Sequence, residues 1–301
     1  MSNYNGTLIL QKLRLTLEMI KFEHSVFALP FALTGAMLAL ADGGLSLRGT
    51  ASRWAWILVA MVAARSAAMT FNRIADASID ARNPRTAMRQ IPSGQLSAGF
   101  AWAFLAVSSA VFLLAAAMLN PLCLKLAPLA LAVVFGYSWT KRFTSLSHLV
   151  LGFALGIAPA AAWIAMRGEL DARILWLTAA VTFWTAGFDI IYSCQDFEFD
   201  RGERGLHSIP KALGIAGALW VSRFLHVAMI VCLAMLWSAF SLGAPGAVGI
   251  ALVAALLVYE HSLVKPHDLS RVNAAFFTVN GYVGVLFFLF WAADIAYRRI
   301  G

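Results

Sequence analysis

Charge is what this chain has least of. Of its 301 residues only 13% are Asp, Glu, Lys or Arg, about half the share found in an ordinary soluble domain. Hydrophobic residues make up 61%, and the mean hydropathy is +0.76. A fold of this size in water needs more polar surface than that composition supplies, so a soluble globular enzyme and a disordered chain are both excluded. Cysteine is scarce as well. Cys123, Cys194 and Cys232 are widely spaced, form no CxxC pair and lie in apolar stretches. They exclude a disulfide scaffold and read as small buried hydrophobes. The six histidines lack the i, i+4 spacing of a zinc site. Acids are fewer than bases, 15 against 23. The positive charges fall in short loops between apolar runs, a pattern of membrane topology and not of nucleic-acid binding. No cleavable signal pattern is expected, because the first long apolar run begins only after Lys21-Phe22-Glu23.

What remains is an all-α, multi-pass membrane protein. Charge-free runs at 24–41, 143–166 and 272–293 are each near the ~20 residues a spanning helix needs. Two longer runs are broken, one at Asn120-Pro121 and one at Ser241-Leu242-Gly243-Ala244-Pro245-Gly246. The result is nine spans, near 24–41, 54–75, 98–119, 122–139, 148–166, 174–195, 215–238, 246–262 and 275–296. Residues 8–22 mix apolar groups with Lys12, Arg14, Glu18 and Lys21, which suits a helix lying on the membrane surface. With nine spans the amino terminus and the even-numbered loops share a side. That side carries thirteen basic residues (Lys12, Arg14, Lys21, Arg82, Arg85, Arg89, Lys141, Arg142, Arg201, Arg204, Lys211, Lys265, Arg271), against six on the other (Arg48, Arg53, Arg167, Arg173, Arg298, Arg299). The bias puts the amino terminus in the cytoplasm and the carboxyl terminus outside.

The few acids are clustered. Asn72, Asp76 and Asp80 recur at i, i+4 and i+8, within about 80° on one helix face, and Arg65 shares that face. Asp189, Asp196 and Asp200 follow steps of seven and four, which on one continuous helix places them within about 40°. Carboxylates so close repel one another unless a cation lies between them, and an oxygen-only donor set suits Mg²⁺ bridged to phosphate. The clusters also repeat. Asp76, Asp80 and Gly94 return 120 residues on as Asp196, Asp200 and Gly214, and Ile91-Pro92 returns as Ile209-Pro210. We therefore expect one domain, 1–301, built of two related halves, about 1–145 and 146–301. Each cluster leads into a basic loop: Arg82-Asn83-Pro84-Arg85-Thr86-Ala87-Met88-Arg89 after the first, and Arg201, Arg204 and Lys211 after the second. Lys141-Arg142 lies between them. Mixed aspartates and arginines fit a diphosphate held partly by metal and partly by guanidinium and ammonium groups. An apolar body around such a site calls for a lipid substrate with a phosphorylated head. A secondary transporter is the alternative these features leave open.

The motifs resemble those of the UbiA superfamily of membrane aromatic prenyltransferases. Asn72-Arg73-Ile74-Ala75-Asp76-Ala77-Ser78-Ile79-Asp80 is similar to its first aspartate motif, followed by Asn83-Pro84-Arg85-Thr86 with Arg89, Pro92 and Gly94. Tyr192-Ser193-Cys194-Gln195-Asp196-Phe197-Glu198-Phe199-Asp200-Arg201 is similar to the second, continued by Gly205-Leu206-His207-Ser208-Ile209-Pro210. Lys141-Arg142 resembles the basic pair of the middle loop, and Lys21-Phe22-Glu23-His24 with Phe27-Ala28-Leu29-Pro30-Phe31 the family's start. The resemblance implies nine helices around a central cavity open to lipid. It also implies transfer of a polyprenyl group from its diphosphate to an aromatic hydroxy-acid, in ubiquinone or menaquinone synthesis. By this resemblance Asn72, Asp76, Asp196 and Asp200, supported by Asp80, bind two Mg²⁺ ions with the diphosphate. Arg85, Arg89, Lys141, Arg142 and Arg201 hold its oxygens, and Arg65, Asp189 and Lys141 take the catalytic roles. The nearest branch is the bacterial 4-hydroxybenzoate polyprenyltransferases. The spelling around Tyr192 to Pro210 also resembles members of the futalosine route that act on a hydroxynaphthoate, and Ser193 stands where other ubiquinone-type members carry an acid. Haem, a chlorophyll precursor or homogentisate remain as other acceptors of the family.

Overall fold

A computed structural model describes residues 12–20 and 25–300. No strand occurs among them; a single bridge joins Lys265 and Asp268. A short helix α1 at 12–19 precedes the bundle. Its buried Met19 and Ile20 pack on Leu96, and Arg73 Nε donates to the Met19 carbonyl (3.3 Å). The remainder of the proposed surface helix, and the Lys21–His24 stretch, lie outside the described residues.

The bundle proper is α2 (Ser25–Asp42), α3 (Ala51–Asp80), α4 (Ala98–Leu119), α5 (Pro121–Thr140), α6 (Ser147–Arg167), α7 (Leu175–Ser193), the short α8 (Phe197–Gly202), α9 (Ile209–Ala239), α10 (Ala244–Leu263) and α11 (Asn280–Ile300), the last entered through a π-helical turn, Ala274–Val279. Eight segments are long and apolar enough to cross a membrane, and Phe27–Asp42 within α2 is a shorter apolar helix. The nine expected spans each find a helix. Both expected breaks are present, for local reasons. Asn120 caps α5 by accepting from the Cys123 N–H (2.9 Å), Pro121 opens that helix, and the Asn120 amide donates to the Ile164 carbonyl on α6 (2.8 Å). At the second break the free N–H groups of Gly243 and Gly246, at the start of α10, donate to the carboxylate of Asp294 on α11 (2.8 and 2.7 Å). A negative charge at a helix amino end is favourable in this position.

Two boundaries differ from expectation. The second span is longer than 54–75 and runs unbroken to Asp80, which keeps Asn72, Asp76 and Asp80 on one helix as their spacing required. The second acidic row is not one helix face: α7 ends at Ser193, Cys194–Asp196 form a 3₁₀ turn, and α8 starts afresh. The 3₁₀ turn winds more tightly than 3.6 residues per turn, so the register from Asp189 to Asp200 is lost.

Neighbours in sequence are neighbours in space around most of the bundle, α3 on α4, α4 on α5, α5 on α6, α6 on α7, α7 on α9, α9 on α10 and α10 on α11; α2 packs between α6 and α11. The α6–α7 approach needs small residues: a Cβ on Gly152 would strike the Thr182 carbonyl. α7 is the central helix, with Leu177, Val181, Trp184, Ile190 and Ile191 all fully buried, whereas α5 keeps Leu124, Leu126 and Leu129 exposed on what suits a lipid-facing side. Gly94 and Gly214, 120 residues apart, both take positive φ (74° and 69°). At Gly214 the chain steps out of helical geometry, so the straight part of α9 begins where the expected span did.

Candidate functional site

One end of the bundle gathers the loops 81–97 and 141–146 and the segment 194–208. Asp76 is held at the end of α3 with 2% of its surface exposed. Its Oδ2 accepts from Lys141 Nζ (2.6 Å) and from the Asn72 amide one turn back (3.0 Å). Arg142 donates to the Ala75 carbonyl (2.6 Å) and reaches Asp76 Oδ1 at 3.5 Å. Asp80, also buried, takes both its hydrogen bonds from Arg89 (2.8 Å each). The loop that follows α3 then reaches the second motif. Arg85 Nε donates to Asp196 Oδ1 (2.8 Å), its Nη2 to Asp196 Oδ2, and its Nη1 to the Tyr192 hydroxyl (3.3 Å). Asn83 adds an amide donor to Asp196 Oδ1 (2.9 Å). Burial pulls the Arg85 pKa down, but the bonds it donates to Asp196 and the charge of that carboxylate together outweigh burial and hold it above the usual arginine range. Further out, Arg82 grips Glu203 through two bonds (3.1 and 2.9 Å), which keeps that carboxyl below its ordinary range. Among the described residues Asp200 accepts one side-chain hydrogen bond, from the Ser208 hydroxyl (2.9 Å).

The two acidic rows therefore meet at one end, as expected, but guanidinium, ammonium and amide groups fill the gap between them. No three acids, histidines or cysteines among the described residues close on a metal by themselves. The donor set is nonetheless all oxygen and mostly carboxylate, which fits Mg²⁺. That ion commonly binds through one or two carboxylates and completes its shell with water and substrate phosphate. Of the expected diphosphate-binding residues, Arg85, Arg89, Lys141 and Arg142 are in the cluster; Arg201 is exposed on α8 and makes none of these contacts.

Beside the cluster stands an aromatic wall. Tyr192, under the Arg85 guanidinium (5.4 Å), packs on Phe276 (4.2 Å). Phe276 packs on Phe188 (5.2 Å), and Phe188 on Trp184 (5.0 Å), with Phe27 touching all three. Trp184 is anchored from behind by its Nε1–H to Asn280 Oδ1 (2.7 Å), and the Asn280 amide donates to Glu260 Oε1 (2.8 Å). His226 completes this polar seam, facing His261 (3.0 Å) and the Trp184 carbonyl (3.3 Å). Of the two residues expected on the acceptor side, Arg65 keeps a buried Nε with no hydrogen-bond partner among the described residues. Asp189 Oδ2 lies 2.7 Å from His148 Nδ1. Sequence reasoning missed His148, Asn83 as a partner of Asp196, and Glu260. Partners 41 or 113 residues apart leave no periodic trace; a histidine or glutamate inside an apolar run was the only signal.

A helical membrane bundle with paired acidic motifs, a basic collar and an aromatic wall at one end has the make-up of a membrane-embedded enzyme. Residues 28–293 match the UbiA prenyltransferase family, and the chain belongs to it. It is thus a prenyl-group transferase, which retires the transporter alternative. Relatives include the 4-hydroxybenzoate octaprenyltransferases of Vibrio atlanticus (30% identical over 241 residues, 78% of this chain and 83% of that one) and Vibrio campbellii (32% over 224 residues, 74% and 77%). Among solved structures, a UbiA homologue from Aeropyrum pernix K1 superposes with a TM-score of 0.79 at 36% identity, covering 92% of this chain and 98% of that one. A UbiA homologue from Archaeoglobus fulgidus, solved with DMAPP and Mg²⁺, shares the fold (TM-score 0.71, 20% identity, 93% and 99% covered).

Proposed function

We propose that the protein transfers a polyprenyl group from polyprenyl diphosphate to a ring carbon of an aromatic hydroxy-acid of the 4-hydroxybenzoate or hydroxynaphthoate type, serving quinone synthesis. The observation that carries this reading is the pairing of Arg85 with Asp196, Lys141 with Asp76 and Arg89 with Asp80 at one end of an apolar bundle, beside the wall from Tyr192 to Trp184. The relatives named 4-hydroxybenzoate octaprenyltransferase support the substrate class, and the Archaeoglobus homologue solved with DMAPP and Mg²⁺ supports the donor and the ion.

Asn72, Asp76, Asp196 and Asp200, with Asp80 in support, would hold Mg²⁺, in our reading two ions. Bound there, Mg²⁺ supplies positive charge against the diphosphate oxygens. Arg85, Lys141, Arg142 and Arg89 exchange a carboxylate partner for a phosphate oxygen as the substrate enters, so their charges face the leaving group as its C–O bond breaks. The electron pair of that bond leaves with the diphosphate. The allylic cation left behind is screened from water and stabilised by the ring of Tyr192 and the edge of the wall at Phe276, which Phe188 and Trp184 back from behind. Asp189 accepts the acceptor's hydroxyl proton, raising electron density at the ortho carbon, which forms the new C–C bond. The ring hydrogen is then lost as a proton to the diphosphate, and Asp189 returns the hydroxyl proton. Arg65 Nε, without a hydrogen-bond partner among the described residues, suits the acceptor's carboxylate. The residue set lies in a bacterial cytoplasmic membrane, the motifs facing the cytoplasm, and the two halves derive from one repeated unit.

The test is purified protein in lipid nanodiscs with Mg²⁺, a labelled polyprenyl diphosphate and a panel of aromatic acids. The expected result is a prenylated phenolic acid by mass spectrometry, abolished by chelation. Product with homogentisate, haem or a chlorophyll precursor alone overturns the acceptor class, and no product with any acceptor overturns the reading.

A further inference from the structure

His148 sits at the start of α6, 5% exposed, and its two ring nitrogens have different partners. Nε2 faces the backbone N–H of Ile209 (3.4 Å). An amide N–H only donates, so Nε2 carries no hydrogen, and the ring hydrogen resides on Nδ1. Nδ1 then donates to Asp189 Oδ2 at 2.7 Å. The other oxygen, Asp189 Oδ1, takes no hydrogen bond among the described residues, and the side chain is 24% exposed. Among the described residues, one carboxylate oxygen is anchored and the other takes no hydrogen bond.

The anchor is itself built into the diphosphate end. Three consecutive residues preceding and opening α9 each fix a different point. The His207 N–H donates to the Lys141 carbonyl (2.7 Å), the Ser208 hydroxyl donates to Asp200 (2.9 Å), and the Ile209 N–H meets His148. Resting on the function proposed above, we infer that His148 is a positioning residue. It holds Asp189 so that Oδ1 meets the acceptor's hydroxyl, and the 207–209 segment keeps that oxygen in register with Lys141 and Asp200. Second partners of this kind fix tautomer and aim, and losing one costs about 10–100-fold in metal sites built the same way.

Substitution separates aim from packing. The amide of His148→Asn sits where Nδ1 does and can still donate to Asp189; that of His148→Gln sits nearer the Nε2 position and serves Ile209 instead. We expect His148→Gln and His148→Ala to lower kcat about 10–100-fold with KM for the prenyl diphosphate within about twofold, and His148→Asn to recover most of it. The loss relative to wild type should shrink along a series of ring-fluorinated hydroxy-acids, whose hydroxyls need less help to release a proton. Equal activity of all variants, an equal loss across the series, or a rise only in the diphosphate KM overturns the inference. A readout independent of turnover is NMR of ¹⁵N-histidine-labelled protein: His148 should show the Nδ1–H tautomer in wild type, and in Asp189→Asn, where Ile209 still holds Nε2, the Nδ1–H proton should move upfield as a bond to a charged carboxylate becomes one to a neutral amide. The Nε2–H tautomer in wild type overturns the dyad whatever the acceptor proves to be. Absence of product from wild type on the whole panel overturns the acceptor chemistry and leaves the tautomer to decide the dyad.

Discussion

Arg85 and Asp196 lie 111 residues apart and are joined through both Nε and Nη2. This ion pair ties the loop after α3 to the turn between α7 and α8, and so fastens one half of the chain to the other at the site. A planar guanidinium matched to a carboxylate makes the pairing directional as well as attractive.

Removing charge from the acids should separate catalysis from folding. Asp76→Asn and Asp196→Asn keep side-chain volume and some hydrogen bonding while losing the negative charge. We expect turnover to fall by ~10²–10³ or more, the scale seen when a charge-stabilising group is lost, with the melting temperature shifted by only a few degrees. Product formation and scanning fluorimetry on the same preparations check both halves.

The collar arginines should not be equivalent. Arg85→Ala strips Asp196 of its main partner and, under the proposed function, takes a ligand from the diphosphate, so kcat should drop and KM for the prenyl diphosphate rise. Arg82→Ala removes an exposed pair with Glu203, of a kind that contributes little, and both constants should stay within about twofold of wild type. Steady-state kinetics with varied prenyl diphosphate distinguishes them; parity between the two variants would count against a diphosphate role for Arg85.

Behind the aromatic wall, Glu260 is fully buried, accepts from Asn280 at Oε1, and leaves Oε2 with no hydrogen bond among the described residues, 3.7 Å from His226 Nδ1. Glu260→Gln retains the acceptor and should be neutral or mildly stabilising. Glu260→Ala leaves the Asn280 amide short of a partner, a loss of about 1–3 kcal/mol, and loosens Trp184. Thermal unfolding in detergent, with Trp fluorescence as the probe, measures both.

Topology is open to direct labelling. Cysteines placed at the exposed His267 and Glu169 positions of a protein lacking its native three should react from opposite sides of the membrane. Position 267 should be reached by an impermeant maleimide only after permeabilisation of cells, and position 169 without it. The reverse pattern would invert the proposed orientation.

Much of this architecture was legible as sequence. Span number follows from apolar length, because a chain in lipid must close its backbone hydrogen bonds locally and so forms helices about as long as the bilayer is thick. Asn120-Pro121 and the Gly-Pro stretch at 243–246 marked the breaks, since capping and the missing proline N–H act within a few residues. The acids stood out because carboxylates are costly beside lipid and so are few. What only the folded chain decided were relations with no period: that Arg85 takes Asp196, that a 3₁₀ turn takes Asp196 off the Asp189 face, that His148 meets Asp189 and Ile209, and that Glu260 and Asn280 brace Trp184. Those contacts join residues on different helices, and they are set by how the helices pack against one another, which local spacing does not encode.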